Sequence, residues 1–192
     1  MNYSRVYDEV YAKSNYTPHN GEHFWRFVGK RLMGTGHRPR RVLDIGCGLC
    51  GGLTWANRAL RPDVAVGLDV ALSALKKSPR RRIKAVAGSA LELPLRSNYF
   101  DLVLCGDVLE HIEKDDVSFV ISEAHRVTMP FKYCSFLICL EEERQPLAGY
   151  KLHITLEPVD WWVNQVKEAG FTILEYVLQV DHLLLTATKE RR

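Results

Sequence analysis

Arg41-Val42-Leu43-Asp44-Ile45-Gly46-Cys47-Gly48-Leu49-Cys50-Gly51-Gly52 is the stretch that decides the fold. Val42, Leu43 and Ile45 form an apolar run broken only by Asp44, the pattern of a buried central strand. Four glycines then fall within seven residues: Gly46, Gly48, Gly51 and Gly52. They predict a sharp bend at which a ligand comes close to the backbone, since side chains would block both. Leu53 to Leu60 follow with helical spacing, so the unit is strand, glycine loop, helix.

Two ligand classes suit that loop. Gly46-x-Gly48-x-x-Gly51 satisfies the dinucleotide fingerprint, with Asp69 where a ribose-binding acid is wanted. Asp44 favours a different ligand. A carboxylate one residue ahead of the bend repels a pyrophosphate in a poorly solvated crevice, whereas the ammonium of an amino-acid ligand welcomes it. Read as apolar-Asp-apolar-Gly-x-Gly, the stretch resembles the first motif of the class I S-adenosylmethionine-dependent methyltransferases.

Further stretches carry the same resemblance. Gly88-Ser89-Ala90-Leu91-Glu92-Leu93-Pro94 is similar to the family's Gly-Asp-Ala-x-x-Leu-Pro. Phe100-Asp101-Leu102-Val103, followed by Val108-Leu109-Glu110-His111, matches a second element. His153-x-x-x-x-Pro158-x-x-Trp161 looks like that of ubiquinone-type and other small-molecule O-methyltransferases. The resemblance implies one α/β domain, Rossmann-like, with a seven-stranded mixed sheet in the order 3-2-1-4-5-7-6 and helices on both faces. Residues 1–38 would form an N-terminal helical lid and 39–192 the core. It implies S-adenosyl-L-methionine as cofactor, leaving as S-adenosyl-L-homocysteine, and a small-molecule methyl acceptor.

The expected cofactor set follows. Asp44, Gly46, Cys47 and Gly48 come from the loop, and Asp69 and Val70 from the tip of the second strand. Asp69 would accept both ribose hydroxyls, the competing role being a cap for the helix from Leu72 to Lys77. Ser89, Ala90 and Leu91 would meet the adenine, with Ser89 standing where the family has an acid: its hydroxyl accepts a hydrogen bond but lacks the charge. Cys105 and Gly106, both small, would let an acceptor approach the methyl group. Tyr3, Tyr7 and Tyr11 recur every fourth residue on one helical face. They read either as a core stripe or as a lid, with Tyr11 or Tyr16 near the sulfonium or methionine carboxylate. His153, then His111, are the candidates for a general base, because histidine titrates near neutral pH; each also reads as a hydrogen-bonded structural histidine.

Composition bounds the rest. The 192 residues, 46% hydrophobic and 26% charged, are ordinary for one globular domain. No apolar run approaches the roughly 18 residues that cross a bilayer, and the first ten residues are unlike a signal peptide. Five cysteines suit a reducing compartment, so cytoplasmic residence without a membrane partner is expected. Cys47 and Cys50 imitate a zinc half-site, but no second pair completes it, and no metal is expected. The net charge of +3 gathers in His37–Arg41 and Lys76–Lys84. Those runs precede strands, on the sheet edge away from the ligand, so a nucleic-acid partner, as for an RNA-directed methyltransferase, is admissible but not favoured. A nicotinamide oxidoreductase and a cofactor-binding module without turnover are the remaining readings. Nothing speaks to oligomeric state.

Overall fold

The computed structural model describes residues 2–13, 22–78, 82–142 and 145–190. β1 (Arg41–Ile45) lies mid-sheet because Val42, Leu43, Asp44 and Ile45 are all buried, which only a strand covered on both faces allows. It pairs in parallel with β2 (Val64–Asp69) through Leu43 and Val66, and with β4 (Phe100–Gly106) through Leu43 and Val103. β3 (Lys84–Ala87) flanks β2, and β5 (Thr128–Cys139) flanks β4. The last pair, β6 (Phe171–Gln179) and β7 (His182–Lys189), is antiparallel, with β7 inserted beside β5. The order is β3-β2-β1-β4-β5-β7-β6, as the motifs imply.

The helices are α1 (Tyr3–Lys13), α2 (Glu22–Gly34), α3 (Gly51–Ala59), α4 (Leu72–Lys77), α5 (Val117–Val127) and α6 (Val159–Glu168). Alternation along β1 divides the core. Leu43 and Ile45 pack with α5 and α6 on one face; Val42 packs with Phe24, Trp25, Val28 and Leu32 of α2 and with α3 on the other. A side chain on Gly52 would run into the Trp25 indole, so the glycine loop seats α2 as well as bending the chain.

β5 differs from its pattern. Apolar patterning predicts this strand over Tyr133 to Leu140, but the observed one begins at Thr128 and carries Pro130. A register shift opposite Phe100 and Leu102, with Phe131 at a φ of 58°, absorbs the proline. A bulge is where a residue without an N–H is tolerated. Among the described residues, no helix is long and apolar enough to cross a membrane.

Candidate active site

The C-terminal ends of β1, β2 and β4 open into a cavity of about 1210 Å³, its mouth included. The bend after β1 forms its floor. Gly46, at a φ of 74°, lies against Val108 so closely that a Cβ would collide with that side chain. Asp69, 6% exposed, closes β2 and takes two backbone donors: Gly48 N–H at 2.7 Å and Ala71 N–H at 2.8 Å. The second bond sits at the start of α4, whose capping residue Ala71 supplies no side-chain acceptor. Asp69 therefore does the work of a cap and also lines the cavity. Each carboxylate oxygen keeps a lone pair for a further donor.

Asp44, 7% exposed, lines the same wall. Burial pushes its carboxyl up to about 7, Trp25 on the other side partly offsets this, and Asp69 adds to it. The Trp25 indole N–H is buried without a formed hydrogen bond.

α1 covers the mouth. Tyr3, Tyr7 and Tyr11 all face the cavity, and Tyr3 packs against the core as well. Several bonds pin the helix. The Tyr3 hydroxyl accepts Glu113 N–H at 3.0 Å, Asp8 accepts Ser73 N–H at 2.8 Å, and Lys77 Nζ donates to the Tyr11 carbonyl at 3.1 Å. The Tyr11 hydroxyl sits 2.5 Å from where a Gly48 Cβ would stand. Tyr16 lies outside the described residues.

Ser89, Ala90, Val70 and Cys47 also reach the cavity. The Ser89 hydroxyl is turned inward on its own loop, accepting Leu91 N–H at 3.1 Å. Leu91 packs on the core instead of the cavity, and Cys105 is fully buried behind Gly106. Arg126 of α5 fastens the loop after β3 by donating to the carbonyls of Leu93 and Leu95 and to the Ser97 hydroxyl. Cys47 and Cys50, their sulfurs 3.4 Å apart, are buried thiols.

At the far end, His111 lines the cavity and His153 stands beside it, ring centroids 4.9 Å apart. The loop between β5 and α6 brings them together: Ile154 and Thr155 donate their N–H groups to the Glu110 carbonyl. His111 Nδ1 meets the Leu152 carbonyl at 3.1 Å, and His153 Nδ1 the Glu141 carbonyl at 2.7 Å. A carbonyl only accepts, so both Nδ1 atoms carry the proton. The Glu110 side chain, fully buried, accepts Cys139 N–H and is pushed up to about 8, by burial first and then by Asp107.

Asp107, Glu110, Trp25 and His182 are additions to the residues that patterning singled out. Glu110 was visible inside Val-Leu-Glu-His; the others carry no local signal. Asp107 reaches the cavity through a left-handed backbone, φ 53°. His182 spans Asp107 at 3.6 Å and Asp181 at 2.5 Å, and these carboxylates, Asp107 foremost, push it up to about 9.

A family described as "Methyltransferase domain" matches residues 43–136, from β1 into β5. A demethylmenaquinone methyltransferase of Geobacillus kaustophilus is 30% identical over 135 residues, covering 66% of this chain and 55% of the relative. Over about half its length the chain is similar to that methyltransferase-domain family, and it has the strand order of the class I methyltransferase fold. Among solved structures, a methyltransferase from Mesorhizobium loti superposes with a TM-score of 0.65 at 18% identity, over 78% of this chain and 90% of the other. The [4+2]-cyclase SpnF superposes with a TM-score of 0.72 at 16% identity, over 89% and 81%. These methyltransferase-fold likenesses concern architecture alone, since one scaffold hosts several chemistries. The chain spans 55% to 64% of the length of the first curated relatives it matches.

That likeness implies S-adenosylmethionine, and the residues present fit it. Asp44 lies buried on the wall beside the Trp25 indole N–H, which has no well-formed hydrogen bond. The ammonium of an amino acid suits the Asp44 carboxyl, and a nucleoside ribose suits that of Asp69. A pyrophosphate would meet two buried carboxylates.

Proposed function

We propose that the chain transfers the methyl group of S-adenosyl-L-methionine to an oxygen of a small-molecule acceptor. The observation that carries the reading is the pairing of Asp44 and Asp69 on one cavity wall, with the histidine pair at its far end. Asp44, Gly46, Cys47 and Gly48 would hold the methionine portion, Asp69 and Val70 the ribose, and Ser89 and Ala90 the adenine. Tyr11 would close over the sulfonium, whose positive charge an aromatic face favours. The bound cofactor supplies an activated methyl group.

His153 would receive the acceptor's one proton at Nε2, with His111 the alternative base. The acceptor's lone pair forms the new bond to the methyl carbon. The bond from that carbon to sulfur breaks, and its electron pair stays on sulfur as a neutral thioether. Alignment of the reactants is worth roughly 7 to 11 kcal/mol and a base about 10²- to 10⁴-fold. Loss of the cofactor grip should therefore hurt more than loss of either histidine.

The curated relatives are named for demethylmenaquinone, which supports a small acceptor over RNA. The test is calorimetry with S-adenosyl-L-homocysteine, then radiolabelled methyl transfer to a panel of hydroxylated aromatics, demethylmenaquinone and RNA. Tight cofactor binding with no transfer to any of them would favour a module without turnover; transfer to RNA alone would overturn the small-molecule reading.

A further inference from the structure

The two outer strands of the sheet differ. β3 is four residues long and opens with the exposed Lys84, a short, charged edge of the kind that resists association. β6 runs for nine residues, and its one charge, Glu175, is tied to Arg31 of α2. Leu174, Tyr176 and Leu178 are each more than half exposed, and Val180 at the hairpin tip is fully so. Among the described residues, β6 has β7 on one side and no strand on the other.

The hairpin fixes which main-chain groups look outward. Val180 and Asp181 form a two-residue turn, Val180 at a φ of 51°, so Gln179 and His182 are the hydrogen-bonded pair beside it. Alternation from there turns the N–H and C=O of Leu178 and Tyr176 away from β7. These two residues stand opposite Leu183 and Leu185, both buried, so the apolar face of β7 continues onto the rim of the sheet. The bulge between Ile173 and Glu175 leaves Glu175 to Gln179 in regular register.

We infer that β6 pairs antiparallel with β6 of a second copy of this chain, joining the two sheets about a two-fold axis. The strand is its own complement. A register centred on Tyr176 sets Tyr176 against itself and Leu174 against Leu178. One centred on Val177 sets Tyr176 against Leu178 and Leu174 against Val180. A register centred on Glu175 would oppose like charges, which disfavours it. The exposed side chains withdraw on the order of 400 Å² from each copy, the size of an apolar patch that marks an interaction site. A standard interface buries about 800 Å² a side. Main-chain pairing and flanking residues must bring the rest, which fits a dimer of micromolar affinity. A lipid surface fits less well, because an open sheet edge does not enter hydrocarbon. This goes beyond the proposed reaction and does not depend on it.

The experiment is analytical ultracentrifugation of the full chain across micromolar concentrations. The wild type should sediment as a dimer that dissociates on dilution. Tyr176→Pro removes an outward N–H that the β7 ladder does not use, and Leu178→Lys adds the charge that protects natural edges. Each should sediment as a monomer with the circular dichroism of the wild type. Leu178→Lys keeps every backbone group, so it tests the edge even where the proline lowers stability. Phe119→Lys, at an exposed apolar side chain of α5, should stay dimeric, which separates edge pairing from indiscriminate apolar association. A wild type monomeric throughout, a dimer that survives Leu178→Lys, or dissociation in Phe119→Lys overturns the proposal. So does a monomeric wild type that binds phosphatidylcholine vesicles and loses them in Leu178→Lys, since a lipid surface would then be the occupant.

Discussion

The Asp69 carboxylate accepts the Gly48 N–H at 2.7 Å, which makes the tip of β2 and the bend after β1 a single unit. Asp69→Ala should accordingly fail twice. It leaves two backbone donors without their acceptor, a loss of about 1.5 to 3 kcal/mol for each bond to a charged group. It also removes the acid proposed for the ribose. Thermal unfolding reports the first loss and calorimetry with S-adenosyl-L-homocysteine the second; unchanged affinity would contradict the ribose assignment. Asp69→Asn keeps one acceptor oxygen, so it should recover part of the stability.

Asp44 gives the proposed cofactor site a pH dependence. Its carboxyl is raised from 3.8 to about 7, so the folded chain holds that proton more tightly than the unfolded one. The stability this contributes is present at low pH and is lost as pH rises towards about 7. Cofactor binding has the opposite sign, since an ammonium favours the ionised acid. Affinity should therefore fall as pH drops below about 7, by up to about tenfold per unit. Calorimetry across that window should show the slope in the wild type and a flatter profile in Asp44→Asn.

Gly48 and Tyr11 should prove coupled. Gly48→Ala places a methyl at a φ of 50° and 2.5 Å from the Tyr11 hydroxyl. The backbone strain costs about 1 to 3 kcal/mol, and the collision adds to it. Tyr11→Phe removes the offending oxygen, so the double variant should unfold at a higher temperature than the sum of the two single changes predicts. Strict additivity would place the Tyr11 ring elsewhere.

Arg126 is the fastening of the proposed adenine loop. It donates to Leu93, Leu95 and Ser97 while paired with Glu123, which itself accepts Leu93 N–H. Arg126→Ala should cost about 2 kcal/mol of stability, allowing for its partial exposure. Faster amide exchange across residues 88–97 would locate the effect, and S-adenosyl-L-homocysteine affinity should fall less than in Asp69→Ala.

Much of the architecture could be read from the chain because its signals are local. The apolar run of β1, the glycines after it and the alternation of strands and helices give the central sheet directly. The strand order, by contrast, came from the motifs' likeness to a family. Pro130 misled the start of β5, because a bulge that absorbs a proline depends on the partner strand and leaves no mark in its own residues. The site was legible wherever residues cluster in sequence, as Asp44 does with Gly46 and Gly48. Cys105 looked like part of the wall because smallness suits both a substrate path and a tight core, and the structure puts it in the core. His182 and Trp25 were hidden for the opposite reason. Each reaches the cavity region from a distant element, His182 through Asp107 and Trp25 beside Asp44, and no spacing rule joins positions so far apart. Glu110 and His153 show the same limit, since only the docking of Ile154 and Thr155 on the Glu110 carbonyl makes them neighbours.

The bonds of α1 to Glu113, Ser73 and Lys77 have a kinetic consequence. With about 1 kcal/mol for each, these bonds alone favour the shut arrangement by roughly a hundredfold. In the proposed reaction, spent nucleoside would leave only when they and the helix's other contacts let go. The proposed cycle should then run no faster than this N-terminal helix peels away, and loosening Asp8 from Ser73 should hasten turnover while shortening the residence of everything beneath it.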